Sequence, residues 1–313
     1  VVVAPATANI IAKMANGIAD DLISTTLLAT PRPIVVAPAM NNGMWKAPAT
    51  QANMATLRDR GVHVVGPGSG YLACGDVDTG RMSEPEDIVE AICEMLNPVP
   101  QDLTGKRIVI TAGPTHEPID PVRFIGNRSS GKMGIALARE AVRRGAEVTL
   151  VLGPTSLDVP RGVECVRVQT AAEMLQAALS AFQTADAAIC AAAVADYTPV
   201  SPADHKLKKA NERLNRIELV ETVDILAELS RQKGERCVIG FAAETDNVVE
   251  YAERKLARKG CDAIIANDVS RADSGFGTDT NKAWIVSTAG TQELPVLTKP
   301  QLADTILDLL QNL

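Results

Sequence analysis

No apolar run in this 313-residue chain reaches membrane-spanning length, and no signal-peptide pattern is visible. The expectation is a cytoplasmic protein without a membrane partner. An excess of basic charge is also missing. Lys plus Arg number 31 against 38 Asp plus Glu, a net charge of −7, which argues against a nucleic-acid-binding surface. The six cysteines include no CxxC pair and no metal-ligand spacing. Four of them, Cys93, Cys190, Cys237 and Cys261, stand in apolar helical or strand contexts, which predicts reduced core thiols. An initial Met is lacking too. The chain opens on Val1-Val2-Val3-Ala4, which reads as the middle of a buried strand. Residues 1–97 offer only three clear strands, at the opening, at 34–37 and at 62–65. Three is few for a free-standing parallel α/β domain, so part of a domain is expected to precede this chain.

A hydrophobic fraction of 46% supplies an ample core, and the length fits two domains. The stretch that organises the chain is residues 105–134, GKRIVITAGPTHEPIDPVRFIGNRSSGKMG. It begins as a buried strand, 107–111, and breaks into the Gly/Pro loop at 112–115. It ends in Asn127-Arg128-Ser129-Ser130-Gly131 before a helix with apolar Met133, Ile135, Ala136, Leu137 and Ala141. A strand, a long glycine loop and a helix N-terminus form an anion site, because unpaired N–H groups and the helix dipole point the same way. Ser129 or Ser130 is expected to cap the helix, and Arg128 and Lys132 add charge. Residues 126–132 match the spacing G-x-x-x-x-G-K, but Met133 stands where a Ser or Thr should hold magnesium. The dinucleotide pattern G-x-G-x-x-G is absent, since the first loop offers only Gly113. A plain strand-to-helix connection is the alternative.

In the first half, the opening strand feeds Pro5-Ala6-Thr7-Ala8-Asn9 and a helix through Met14. Small residues at a strand's carboxyl end let a flat ligand approach the backbone, or simply make a turn. An apolar helix follows Asp20-Asp21. Strand 34–37 then ends in a loop, Pro38-Ala39-Met40-Asn41-Asn42-Gly43-Met44-Trp45. There Met and Trp either pack on a neighbour or cover a ligand, and Asn41 can offer an amide to a carboxylate. Strand 62–65 runs into a glycine-rich stretch, 66–76, a candidate lid carrying Cys74. A thiol there is a candidate proton donor or a chance loop cysteine.

Leu-Asn-Pro-Val-Pro at 96–100 reads as a linker, dividing the chain into 1–97 and 98–313. Beyond it, strands at 148–152, 163–168, 187–191, 237–241 and 263–266 alternate with helices at 171–182, 222–231 and 248–258. That alternation predicts an α/β fold with a mostly parallel sheet covered on both faces. A hairpin at 283–296 and a helix at 300–310 complete it. The strand at 187–191 ends in Ala192-Ala193-Val194-Ala195-Asp196, where the acid suits a nucleotide or metal contact or a helix cap. Lys206-Leu207-Lys208-Lys209 is a solvated charge run or a loop that closes over phosphate. Lys255 and Lys259, four apart on one helix face, clamp phosphate or stand exposed.

Residues 110–134 resemble the opening of phosphopantothenate–cysteine ligase, in bacteria usually the C-terminal half of a bifunctional protein of coenzyme A synthesis. AAAVADY, the KLKK loop, GFAAET and K-x-x-x-K recur in the ligase in this order. PATAN, PAMNNGMW and GYLACGDVDTGRM resemble in order the motifs of the flavin-dependent decarboxylase half. The resemblance implies two parallel-sheet domains, a partial flavodoxin- or Rossmann-like flavoprotein followed by a Rossmann-like ligase. It implies Thr7, Ala8 and Asn9 at FMN, Asn41 and Met44 at substrate, and Cys74 as the donor to an ene-thiol intermediate. It places Asn127 where it positions an acyl intermediate and Lys206 where it stabilises activation. Phe241 falls near the base, and Lys255 and Lys259 on the triphosphate. Gly113, Ser130, Gly131, Ala192 and Asp196 fall at CTP or phosphopantothenate, with Asp196 a candidate for Mg²⁺. The implied substrates are 4′-phosphopantothenate, L-cysteine and CTP, in a homo-oligomer whose ligase domain is dimeric. The family's catalytic His lies upstream of the flavin motif, and His63, His116 and His205 do not match it. Decarboxylation is therefore expected to be incomplete in this chain. The rival readings are an NAD(P)-dependent oxidoreductase and, for the first half, a scaffold for oligomerisation.

Overall fold

Val2, Val3, Val35 and Val36 are β-branched and pair side by side, as strand propensity favours. The computed structural model describes residues 1–71, 77–96, 99–208, 216–271, 273–275 and 277–312. The chain divides into two units, Val1–Val99 and Pro100–Leu313. In the first, β1 (Val2–Ala6), β2 (Val35–Pro38) and β3 (His63–Val64) form a parallel sheet in that order. Parallel neighbours need crossovers. These are α1 (Ala8–Asn16) and α2 (Leu22–Ala29), then α3 (Asn42–Lys46) and α4 (Pro48–Asp59). Ile11, Met54 and Leu57 of the helices bury against Val36. An antiparallel hairpin, β4 (Gly68–Tyr71) and β5 (Val77–Arg81), and α5 (Pro85–Leu96) follow.

The second unit is doubly wound. Its strands are β6 (Arg107–Ala112), β7 (His116–Pro118), β8 (Phe124–Gly126), β9 (Glu147–Leu152), β10 (Val163–Arg167), β11 (Ala187–Cys190), β12 (Tyr197–Pro199), β13 (Leu219–Glu221), β14 (Cys237–Glu244), β15 (Ala263–Asp268), β16 (Thr280–Ser287) and β17 (Gly290–Thr298). Its helices are α6 (Lys132–Arg143), α7 (Ala171–Phe182), α8 (Ile225–Arg231), α9 (Val248–Lys259) and α10 (Lys299–Asn312). The main sheet runs β10-β9-β6-β11-β14-β15-β16-β17. The first six strands are parallel and the last two antiparallel. β6 carries the unbroken apolar run of a strand covered on both faces, Ile108, Val109 and Ile110 all buried. One face packs on α6 and α10 through Leu137, Leu302 and Ile306. The other packs on α7 and α8 through Met174, Phe182 and Leu229. Strand order reverses between β6 and β11, the topological switch point at which open α/β sheets bind ligands.

Several local expectations are corrected. Met44 and Trp45 lie on the short helix α3, and Trp45 packs against the first unit's core. Gly68 and Gly70 of the glycine-rich stretch lie in β4, paired with β5, while residues 72–76 of the expected lid lie outside the described residues. The long loop after β6 contains the hairpin β7–β8, with His116 stacked on Phe124 at 3.7 Å between ring centroids. Helix α8 starts at Ile225, because the Asp224 side chain accepts the Ala227 N–H and fixes the start there. Cys93 is exposed on α5 rather than buried. The thiols of Cys190 and Cys237 are pushed up to about 12 and that of Cys261 to about 11, in each case chiefly by burial.

Candidate functional site

The carboxyl ends of β6 and β11 are sewn together. Ala193 N donates to Gly113 O at 2.9 Å, and Ala195 N to Thr115 Oγ1 at 3.0 Å. The close approach continues at Gly153, where a β-carbon would come within 1.9 Å of Pro114 O. Asn127 Nδ2 donates to Val194 O at 2.8 Å, joining the loop after β8 to the loop after β11. Between these segments and α6 lies a cleft of about 440 Å³.

Seven of the residues expected from the sequence line it: Asn127, Ser130, Gly131, Ala192, Asp196, Phe241 and Lys255. The expectation of a serine N-cap is corrected. Gly131 occupies the N-cap with φ 79°, a left-handed conformation that a side chain would strain, and contributes no capping bond. Ser129 Oγ accepts the Gly131 N–H at 3.3 Å and Ser130 Oγ the Lys132 N–H at 3.4 Å, both long bonds at the very edge of the helix. The start of α6 therefore offers amides to the cleft, the arrangement that receives anions. Gly113 lies directly beneath, its Cα 3.5 Å from where a Gly131 β-carbon would stand.

The three expected lysines separate. Lys255 lines the cleft and donates to Phe241 O at 2.8 Å. Burial pushes its ammonium down, and the carboxylate of Asp224 opposes that shift. Lys259, one turn on, pairs with Asp224 and is not among the lining residues. Lys206 is exposed and outside the lining, but the residue after it is anchored. Leu207 N donates to Asp120 Oδ2 at 3.2 Å, and Leu207 O accepts from Arg123 Nη2 at 3.3 Å. Asp120 and Arg123 were not singled out from the sequence, although both sit in its organising stretch. Glu244, Asn267, Asn281 and Lys299 also line the cleft and were missed. Lys299 precedes a proline at a helix start and carries no local pattern that sets it apart from a surface lysine.

Among the described residues no group of three His, Cys, Asp or Glu side chains could hold a metal by itself. Asp196 and Glu244 both line the cleft, and carboxylate oxygens are the ligand type that suits magnesium, which takes few protein ligands.

In the first unit, Thr7 caps α1, its Oγ1 accepting the Ile10 N–H at 3.4 Å, and Ala8 and Asn9 open that helix. Asn41 caps α3, its Oδ1 accepting the Gly43 N–H at 2.8 Å. Met44 is half exposed on α3. Both caps stand at the carboxyl ends of neighbouring parallel strands, where Ala39 N bonds Ala6 O at 3.0 Å. Small residues at that edge, open to solvent at Thr7 and Asn9, fit a planar ring such as flavin. Met40 N donates to Gly80 O, bringing β5 alongside Asn41. Cys74 lies outside the described residues.

Among protein families, the DNA/pantothenate metabolism flavoprotein C-terminal domain matches residues 103–313 and the flavoprotein family matches residues 1–97. The chain is 50% identical over 310 residues to the coenzyme A biosynthesis bifunctional protein CoaBC of Bacillus subtilis, covering 98% of this chain and 76% of that protein. It is 48% identical over 311 residues to CoaBC of Escherichia coli K12, with the same coverage. The crystal structure of the C-terminal domain of a CoaBC protein superposes with a TM-score of 0.57 at 47% identity, over 67% of this chain and 97% of that one. An NAD(P)-dependent oxidoreductase is not favoured by these relatives. With such identity along nearly its whole length, the chain belongs to the CoaBC family of bifunctional coenzyme A biosynthesis proteins.

Proposed function

We propose that the cleft of the second unit activates the carboxylate of 4′-phosphopantothenate with CTP and then joins it to L-cysteine. Membership of the CoaBC family carries the ligase and decarboxylase activities. The choice of CTP, the order of steps and the residue roles are the proposal. A carboxylate oxygen attacks the α-phosphorus of CTP. The bond from that phosphorus to the pyrophosphate oxygen breaks, leaving an acyl-cytidylate and pyrophosphate. The amine of cysteine then attacks the acyl carbon, its proton passes to solvent, and CMP leaves with the acyl oxygen. The observation that carries this reading is the uncapped start of α6 in one cleft with Lys255, Asp196 and Asn127. Amides and an ammonium neutralise charge that builds on transferring phosphates. Magnesium bound at Asp196 and Glu244 would supply further positive charge there. Lys206, on a segment anchored at Leu207, reaches over the cleft during activation, and Asn127 orients the acyl group for cysteine.

In the first unit, Thr7, Ala8 and Asn9 hold FMN, which when bound supplies the two-electron chemistry that decarboxylation of the ligated product requires. Asn41 and Met44 contact that product, and Cys74 returns a proton to it. The protein works as a cytoplasmic homo-oligomer with a dimeric ligase unit. Exposed Phe124, Tyr197, Leu219 and Val220 on the two small hairpins support an apolar self-contact. Sedimentation of the purified chain tests that assembly. The ligase reading is tested by following pyrophosphate from CTP with and without phosphopantothenate, and product formation after cysteine is added. Substrate-independent release, or none from a folded sample, overturns it.

A further inference from the structure

One wall of the cleft joins Lys132, already marked by the G-x-x-x-x-G-K spacing, to a lysine that no sequence motif foreshadowed. Lys299, the first residue of α10, is 5% exposed and lines the cleft. Its ammonium donates to Gly275 O at 3.1 Å, Thr278 O at 2.6 Å and Asn281 Oδ1 at 2.7 Å. All three acceptors are neutral oxygens. Among the described residues, no carboxylate is in ion-pair contact with it. Lys132, in the first turn of α6, also lines the cleft. Its ammonium sits on Gly277 O at 3.1 Å and Asp279 Oδ1 at 2.7 Å. The Asp279 side chain is 88% exposed, so solvent screens it and water can take its place.

A buried ammonium on neutral acceptors keeps most of the cost of losing its hydration. Burial first, and the Lys132 charge second, push Lys299 down to about 8. Two neighbouring cations with one exposed carboxylate between them leave the wall short of negative charge. The cleft that they face also receives the amides of α6.

We infer that Lys299 and Lys132 form a cationic wall that binds a phosphate group in this cleft, with Asp279 the resting counter-ion of Lys132 that the phosphate displaces. This rests on the reading of the cleft as a site for nucleotide and phosphopantothenate. Two sources supply the same chemistry: the β- and γ-phosphates of CTP, or the phosphate of phosphopantothenate. The alternative for Lys299 is a staple that only holds the 277–281 segment to α10.

The test is calorimetric binding of four probes, CTP, CMP, 4′-phosphopantothenate and pantothenate, to the full chain and to Lys299→Gln. Glutamine keeps two donors for the segment and loses the charge. The expected result is CTP weakened at least about tenfold, the scale of a charge-assisted hydrogen bond, with CMP changed less than about twofold. Selective weakening of phosphopantothenate over pantothenate would assign the wall to that phosphate instead and equally support it. Equal weakening of CTP and CMP, or no change in any probe, overturns the inference. Asn281→Ala cuts one strand of the staple and keeps the charge; if it reproduces the Lys299→Gln pattern, the staple explanation holds and the inference fails. Should Lys299→Gln not fold, Lys132→Gln, whose side chain is one third exposed, carries the same probes and the same outcomes. Wild-type protein that binds no CTP would reject the nucleotide reading itself, an outcome distinct from bound CTP that ignores both variants.

Discussion

Two strand-to-helix turns on one sheet differ in what they do with the first amides of the helix. Between β10 and α7 the turn is short and closed. Thr170 Oγ1 accepts the Glu173 N–H at 3.2 Å, Glu173 Oε2 accepts the Gln169 N–H at 2.6 Å, and buried Glu117 Oε1 accepts the Ala171 N–H at 2.8 Å. Between β6 and α6 the chain detours through a hairpin, enters the helix at a left-handed glycine and has no capping side chain at that glycine. A helix start satisfied from within is structural. One entered at a glycine beside a cleft, its first amides held by long serine bonds at 3.3 and 3.4 Å, is suited to turn its amides to a ligand. The first turn should therefore matter for stability and the second for chemistry.

The largest expected effect lies on the chemical side. Lys206→Ala should lower phosphopantothenate-dependent pyrophosphate release by about 10²–10³, the scale for losing one preorganised charge at a transferring phosphate. Its melting curve should match wild type, because the side chain is exposed. Near-normal release would remove Lys206 from the activation step. Gly153→Ala tests the close backbone approach behind the same loop. Its β-carbon would meet Pro114 O, so a loss of about 1–3 kcal/mol in urea unfolding is expected, with slower activation. Unchanged stability and rate would show that the approach relaxes freely.

A smaller and more selective effect is expected at Asn127. Asn127→Asp replaces the donor to Val194 O by a carboxylate facing that carbonyl, and adds negative charge at the cleft. Cysteine transfer should slow by about tenfold or more while acyl-cytidylate accumulates, on the scale of a lost hydrogen bond to a polar group. Normal product formation without accumulation would contradict the role. The smallest effects compare the two turns directly. Thr170→Ala should cost about 1 kcal/mol of unfolding free energy, and Ser130→Ala less than about 0.5 kcal/mol. Equal costs, read from denaturant midpoints, would erase the distinction between a capped and an open helix start.

The α/β class and the doubly wound second unit follow from short-range periodicity, which the chain displays without knowledge of its neighbours. Buried runs such as Ile108-Val109-Ile110 and amphipathic helices such as α6 announce themselves in any ten residues. Gly131, Ala192 and Asp196 were pointed to by glycine and small-residue patterns after strands, whereas Asn127 and Phe241 came only from the family resemblance; all five line the cleft. The hairpins β7–β8 and β12–β13 were not legible, since strands of three residues carry too little alternation to read.

What only tertiary structure decided is pairing between distant segments. Whether a serine caps α6 depends on how Gly131 turns against Gly113, not on the presence of serines. Lys255 and Lys259 look equivalent on one helix face, yet Asp224 at the start of α8 takes the second and leaves the first to the cleft. Lys299 reads as a surface lysine until β16 and β17 carry it back against Gly275 and Asn281. Local pattern sets which segments become strands and helices, because it depends on residues a few positions apart. The charge and hydrogen-bond state of each side chain depends on neighbours that only the folded topology brings within 3 Å or so.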